Sequence, residues 1–402
     1  MFSGKLRFLL MIAFMLFEQT GDDGVRYSFI AEWFDNESQT LRKFYLMYFT
    51  ADDTVELFDI KNNNTFLKRT KCEGISAKDI YIGAIITIFS RQMNIADFAD
   101  NFTREKFGKT LQKTFGMLKP DVADKYGEIL KMIYANDFKI TKLKMARLTK
   151  EQAQEFYKEH EGKPFLPFLV EFMTSGPVLA MELVAENGIA KWRETIGPTD
   201  SEVARTSAPE SVRAKYGKDK SYNAVHGSDS VEAAERELSI FFPASSRDLD
   251  GKMTPKTTAT FKNCTCCVIK PHAVQEGLLG DIIYEIQKSG FRITGMQMFY
   301  MDYPNAEEFY EVYKGVVPEC TAMVSQLVSG PCVALEIVSD TPDTPSKFRA
   351  LVGPPEPDRA RELRPNTLRA KFGKTKVLNA IHCSDLPEDG LLEVEYFFKI
   401  LS

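Results

Sequence analysis

Two of the four histidines in this 402-residue chain occupy matching places in a repeated stretch. Asn223-Ala224-Val225-His226-Gly227-Ser228-Asp229-Ser230 returns in altered form as Asn379-Ala380-Ile381-His382-Cys383-Ser384-Asp385. A neutral imidazole nitrogen can attack phosphorus and form a covalent intermediate. Around the two histidines the same residue types recur in order: Lys119/Lys270, Arg193/Arg349, Arg213/Arg369, Asn223/Asn379, Ser228/Ser384 and Glu237/Glu393. Arg offers a planar fork for phosphate oxygens and Lys a point charge, so the set suits a polyphosphate ligand. Glu237 follows His226 by 11 residues on the next expected helix. From there it can hydrogen-bond one ring nitrogen and fix the tautomer. Each residue alone reads as a surface charge or a satisfied core group; the set kept in two copies does not.

The elements that must position these residues repeat with them. Leu118-Lys119-Pro120-Asp121 becomes Ile269-Lys270-Pro271-His272, and Ser175-Gly176-Pro177-Val178 becomes Ser329-Gly330-Pro331-Cys332. The offset runs from 151 residues at Lys119/Lys270 to 156 at His226/His382, the mark of two copies of one domain. In the first copy, strands are expected at 111–118, 138–148 and 178–184, helices at 127–136, 150–160, 164–174 and 189–196, an irregular stretch from 198 to 221, then the His226 strand and a helix over 230–241. Residues 244–260, rich in Ser, Asp, Pro, Thr and Lys, read as a linker. Upstream, residues 25–110 read as a small β module, with strands at 27–34, 41–50, 55–59, 65–68 and 80–90. A polar connector is expected over 102–109. The module has no histidine and no telling carboxylate pair, so docking is a better expectation for it than catalysis.

A formal net charge of −5 and a pI near 5.7 argue against a chain that coats nucleic acid. Seven cysteines are too few and too irregular for a disulfide scaffold, and Cys264-Thr265-Cys266-Cys267 reads as buried strand residues rather than a metal site. Residues 1–24 carry Lys5, Arg7 and the apolar run Phe8–Phe17. The run has signal-like proportions but no cleavage pattern and is too short for a membrane span. It is read as an atypical extension of a cytosolic protein; a wrongly assigned first exon would give the same string. Gly108-Lys109-Thr110 and Gly373-Lys374-Thr375 resemble the end of a P-loop, but the earlier Gly that the pattern requires is Thr103 or Leu368. Nucleotides, if bound, are held without a glycine-rich cradle.

With these residues assembled, each repeat resembles a nucleoside diphosphate kinase. The first copy, 111–243, matches through Lys119-Pro120-Asp121, Ser175-Gly176-Pro177 and above all the stretch from Asn223 to Ser230. The resemblance implies an α+β fold: a ferredoxin-like βαββαβ core with added helices. It also implies ping-pong transfer of the γ-phosphate of ATP or another nucleoside triphosphate to a nucleoside diphosphate, with Mg²⁺ bound through the nucleotide phosphates. By the same resemblance His226 is the phosphorylated nucleophile and Glu237 its orienting partner. Lys119, Arg193, Thr199 and Arg213 contact phosphates, Tyr157 and Ser228 line the reacting centre, Phe165 stacks on the base, and Asn223 reaches the sugar. The segment from Gly197 leaves the placement of Arg213 open.

The second copy, 261–402, departs from that pattern. Glu319 stands where the base-stacking Phe belongs, Pro355 replaces the phosphate-binding Thr, and His272 replaces the Asp after Lys-Pro. The reacting-centre Tyr is either Tyr310 or absent. Lys270, Arg349, Arg369, Asn379, His382, Ser384 and Glu393 persist as a weakened second site.

The N-terminal module, from Phe29-Ile30-Ala31-Glu32-Trp33 through Phe89-Ser90-Arg91-Gln92, resembles a DM10 domain, which implies a PH-like fold. A DM10 domain ahead of two kinase domains is the arrangement of one branch of the family, associated with tubulin in doublet microtubules of cilia and with γ-tubulin complexes at the centrosome. The implied locations are cytoplasm, cytoskeleton, axoneme and centrosome. A mainly structural protein inside doublets, with vestigial kinase domains, is the alternative. Neither nucleic acid nor membrane is an expected partner, and pairing of the two copies within one chain implies a monomer.

Overall fold

A computed structural model of the chain describes residues 24–35, 38–72, 74–108, 111–243 and 254–402. The signal-like run Phe8–Phe17, the Asn36-Glu37 part of the first turn and most of the expected linker lie outside the described residues. The chain divides into two compact units, one through residue 109 and one from residue 110.

The first unit is built on six strands: β1 (Arg26–Asp35), β2 (Thr40–Phe49), β3 (Thr54–Asp59), β4 (Asn64–Lys71), β5 (Ile85–Ile88) and β6 (Arg91–Phe98). They form an antiparallel sheet in the order β4-β3-β2-β1-β6-β5. Alternation along β1 and β2 buries Phe29, Ala31, Phe44 and Leu46 on one face. The strand expected over 80–90 is only Ile85–Ile88, because Phe89 and Ser90, both at positive φ, turn the chain directly into β6. The polar connector is instead a helix, Asn101–Phe107. Asp100 caps it by accepting from Thr103 N at 2.6 Å. Phe107 then packs edge-on against Tyr27 and Phe29, an apolar anchor hidden among the charges of that segment.

The second unit holds both repeats on one sheet. The first copy contributes β7 (Leu111–Leu118), β8 (Lys139–Arg147), β9 (Val178–Glu186) and β10 (Val225–Gly227). After the short β11 (Lys256–Thr257), the second contributes β12 (Cys264–Ile269), β13 (Arg292–Phe299), β14 (Cys332–Val338) and β15 (Ile381–Cys383). The order is β10-β7-β9-β8-β13-β14-β12-β15, with β11 paired to β8. Each half is thus a four-stranded antiparallel sheet with its first and third strands central. In the first half, helices Tyr126–Ala135 and Gly188–Ile196 make the crossovers of a βαββαβ fold. Helices Lys150–Phe156 and Leu166–Thr174 are inserted between β8 and β9.

The halves join edge to edge, with Lys144 on β8 opposite Gln297 on β13. On one face of that seam, helix Tyr126–Ala135 lies against Leu279–Lys288. Their approach depends on two glycines: a Cβ on Gly127 would sit 2.3 Å from Tyr284 N, and one on Gly280 2.5 Å from Lys131 N. Gln287 spans the contact, accepting from Gly127 N and donating to Ala123 O, each at 3.0 Å. Ile129, Ile133, Ile282 and Ile286 share one core across the seam.

Three sequence expectations shift here. The stretch 198–221 is not irregular: helices Ser201–Ser207 and Val212–Tyr216 form in it, each begun by a side-chain cap, Asp200 and Ser211. The helix expected over 150–160 ends at Phe156 and passes into a 3₁₀ turn, Lys158–His160, while the helix expected from 164 starts at Leu166. Part of the expected linker pairs as β11 with Arg147 and Ala146. Among the described residues no helix is long and apolar enough to cross a membrane.

Candidate active site

In the first copy the short β10 lays His226 beside β7, opposite Met117. The strand is entered through Ala224 at a φ of 66°, a backbone state that costs a non-glycine residue about 1 kcal/mol or more. Asp121 holds that turn by accepting from Ala224 N at 3.1 Å. The sequence offered Asp121 only as part of Lys-Pro-Asp; this role could be found only from coordinates.

Glu237, on the helix Val231–Phe241, places Oε2 at 2.9 Å from His226 Nε2 and accepts from Ser228 Oγ at 2.7 Å. The carboxylate is 5% exposed and the imidazole 22%. A buried acceptor on Nε2 keeps the proton there and leaves the Nδ1 lone pair as the nucleophile. Phe156 and Tyr157 set the ring's orientation from the edge, at centroid distances of 5.1 and 6.0 Å. The Tyr157 hydroxyl is buried without a hydrogen-bond partner among the described residues, and burial pushes its pKa upward, so it is a neutral donor at the reacting centre.

The cations gather on the same side. Lys119, 6% exposed, donates to Asn223 Oδ1 at 2.7 Å. Burial, then the charge of Arg213, lowers its pKa to about 8. Arg213 donates to the carbonyls of Gly197 and Val225 at 2.7 and 3.0 Å, and burial with the nearby Arg193 lowers its pKa to about 10. The segment from Gly197 therefore ends with Arg213 bolted to the site. Repelling cations crowded together, none of them in an ion pair among the described residues, are a place prepared for an anion. Asn223 Nδ2 donates to Thr199 O at 2.9 Å, tying the Thr199 loop to the site; Thr199 and Arg193 are exposed. Phe165, half exposed, sits at the start of the helix Leu166–Thr174 with its face open apart from His160.

The second copy repeats the centre. His382 Nε2 meets Glu393 Oε2 at 3.0 Å, and Ser384 Oγ donates to the same oxygen at 2.8 Å. Tyr310 caps the helix Tyr303–Phe309 as Tyr157 caps Lys150–Phe156, with its ring 5.8 Å from His382. The tyrosine is therefore present, at Tyr310. Asn379 Nδ2 donates to Pro355 O at 3.1 Å, so the main chain replaces what Thr199 supplied except the hydroxyl. Arg369 bonds the Gly353 and Ile381 carbonyls at 2.9 and 3.1 Å. The differences lie around this core. Lys270 donates to Val377 O at 3.0 Å rather than to Asn379. Arg349 is drawn onto Asp385, which also accepts from Tyr313 at 2.6 Å. Glu319 pairs with Lys376 at 3.0 Å where the first copy has Phe165. His382 is only 5% exposed.

Comparison with known proteins agrees with this geometry. The family model "Nucleoside diphosphate kinase" matches residues 112–246 and 263–401, and the chain belongs to the nucleoside diphosphate kinase family. The model "Nucleoside diphosphate kinase 7 N-terminal PH domain" matches residues 22–109. Nucleoside diphosphate kinase homolog 7 of Rattus norvegicus is 51% identical, over 94% of this chain and 93% of its own. The Mus musculus protein of that name is 50% identical over the same shares. A nucleoside diphosphate kinase of Aquifex aeolicus is 48% identical over 33% of this chain and 94% of its own. The branch of the family expected from the domain order is the one found.

Proposed function

We propose that the first copy is a working nucleoside diphosphate kinase that passes phosphate through His226. The observation that carries this is the Glu237 carboxylate held on Nε2, which leaves the Nδ1 lone pair available, with Arg213 bonded to the carbonyl of the preceding residue, Val225. The Nδ1 lone pair attacks the γ-phosphorus of a nucleoside triphosphate. The P–O bond to the β-phosphate breaks, and the diphosphate leaves on Lys119, Arg193 and Arg213. A second nucleoside diphosphate then takes the phosphoryl group by attack of its terminal oxygen as the N–P bond breaks. The Nε2 proton stays against Glu237 throughout, so positive charge forming on the ring is balanced without proton transfer. The Tyr157 hydroxyl and Thr199 meet the phosphate oxygens, and Phe165 stacks on the base, a contact that accepts any base. In this reading Mg²⁺ arrives bound to the phosphates of the nucleotide substrate.

Incubation with γ-labelled ATP tests this. Acid-labile label should be lost in His226→Ala and largely kept in His382→Ala. Full labelling of His226→Ala would refute the assignment.

A docking role for the N-terminal module is supported by its exposed apolar side chains. Phe34 and Leu41 face each other across β1 and β2, and Phe89 stands at the tip of the β5–β6 turn; all are about half exposed. A bulky residue at positive φ with its ring in solvent is a costly arrangement unless something covers it. In this reading the partner is tubulin of ciliary doublets, with centrosomal γ-tubulin complexes a further site, and the protein resides on the cytoskeleton. Deleting residues 25–101 should abolish sedimentation with doublet microtubules; unchanged sedimentation removes the role.

A further inference from the structure

The second copy encloses a cavity of about 810 Å³ beside His382. Its lining differs from the first copy in a consistent direction. The stretches Gly197–Arg213 and Gly353–Arg369 are the same length, so positions correspond one to one. Where the first copy has Val203 and Ala208, the second has Arg359 and Arg364, and both line the cavity. Neither forms an ion pair among the described residues, although their neighbour Arg361 pairs with Asp358. Two arginines without an ion pair thus join Lys270 and Arg369 in the cavity lining.

Over the same surface the features suited to a base are gone. The platform Phe165 is replaced by Glu319, which is occupied by Lys376. The one aromatic residue lining the cavity besides His382, Tyr313, is tied through its hydroxyl to Asp385. The Asn379 Oδ1 atom is buried without a hydrogen-bond partner among the described residues, since Lys270 donates to Val377 O instead. Burial and the nearby Arg369 lower the Lys270 pKa to about 7, and among the described residues Lys270 forms no ion pair, donating only to Val377 O.

We propose that this cavity binds a compact polyphosphate, recognised by its charge and without a base. A linear polyphosphate chain and an inositol polyphosphate share that chemistry. An anion with closely spaced phosphates can engage Lys270, Arg369, Arg359 and Arg364 together, whereas a nucleoside diphosphate has no platform for its base and too few charges to reach both arginines. The assignment rests on reading the second copy as an anion site and is independent of His226, so the labelling result above leaves it standing.

The test is calorimetric titration of the full chain with inorganic tripolyphosphate, with myo-inositol hexakisphosphate and with ADP, at physiological salt. The wild type is compared with Arg359→Ala/Arg364→Ala, two exposed positions whose change leaves the core intact. At least one polyphosphate should bind about tenfold or more tighter than ADP at a site that the double variant weakens by about tenfold or more. Phosphotransfer through His226 should be unchanged. Tripolyphosphate alone meeting the criterion assigns a chain ligand, and the inositol phosphate alone a ring ligand. ADP binding as tightly as both at the site that the double variant weakens, or polyphosphate binding untouched by the double variant, overturns the proposal.

Discussion

Lys119 Nζ lies 2.7 Å from Asn223 Oδ1, and Asn223, whose Nδ2 donates to Thr199 O, thereby connects that lysine to the loop carrying Thr199. The corresponding bond does not form in the second copy, where Lys270 donates to a main-chain carbonyl. The first copy thus holds its cation by a side chain that also steadies the loop, and the second holds its own by backbone alone.

The depressed Lys119 pKa of about 8 gives a pH dependence to substrate binding. The ammonium attracts phosphate when protonated, so KM for nucleoside diphosphates should be flat below that value and rise as pH climbs through it. In Lys119→Arg, where charge persists, the rise should disappear. A KM profile of the two proteins between neutral and alkaline pH checks this.

Glu237 acts through His226. Glu237→Ala should slow formation of the phosphohistidine by about 10- to 100-fold, the usual loss when a partner that orients a histidine is removed. ADP affinity should stay near wild type, because no phosphate contact is touched. Rapid-quench labelling set beside equilibrium binding separates the two effects.

Gly116 and Gly227 face each other across β7 and β10, and Trp192 fills the space above them: a Cβ on Gly227 would come 2.5 Å from its ring. The second copy has Cys267 opposite Cys383 with the smaller Phe348 at the corresponding place. Gly227→Cys alone should destabilise the protein by about 1–3 kcal/mol through overpacking. Adding Trp192→Phe should restore part of that loss. Denaturant unfolding of the single and double variants measures the coupling.

Gly127→Leu should force apart the helices that pair the two copies, since its Cβ already meets the Tyr284 backbone. The expected outcome is separate unfolding of the two copies by calorimetry, against a single shared transition expected for the wild type. Light scattering of the wild type should report a monomer, because the pairing surfaces are satisfied within the chain.

The repeat, the residue set around each histidine and the βαββαβ pattern were legible in the sequence because the same residues recur in the same order at an offset of 151 to 156 and each element carries its own local pattern. Strands alternate, helices have caps, and the Asn-Ala-Val-His stretch is contiguous. The helix Asn101–Phe107 and the pair of helices between Gly197 and Arg213 were not legible: they are short, and their stability comes from caps and from packing against distant strands. Nor could sequence order decide between Tyr310 and no tyrosine. The matching helix ends in three dimensions did.

What the sequence by itself determined is the inventory of chemistry: an imidazole, its carboxylate, a lysine and two arginines in each copy. Only the tertiary structure decided what each inventory is worth. Electrostatics depends on distance and burial, and neither is written in residue order. It set Glu237 on Nε2, drew Arg349 onto Asp385 while Arg193 forms no ion pair among the described residues, and closed two repeats around one core through a pair of glycines.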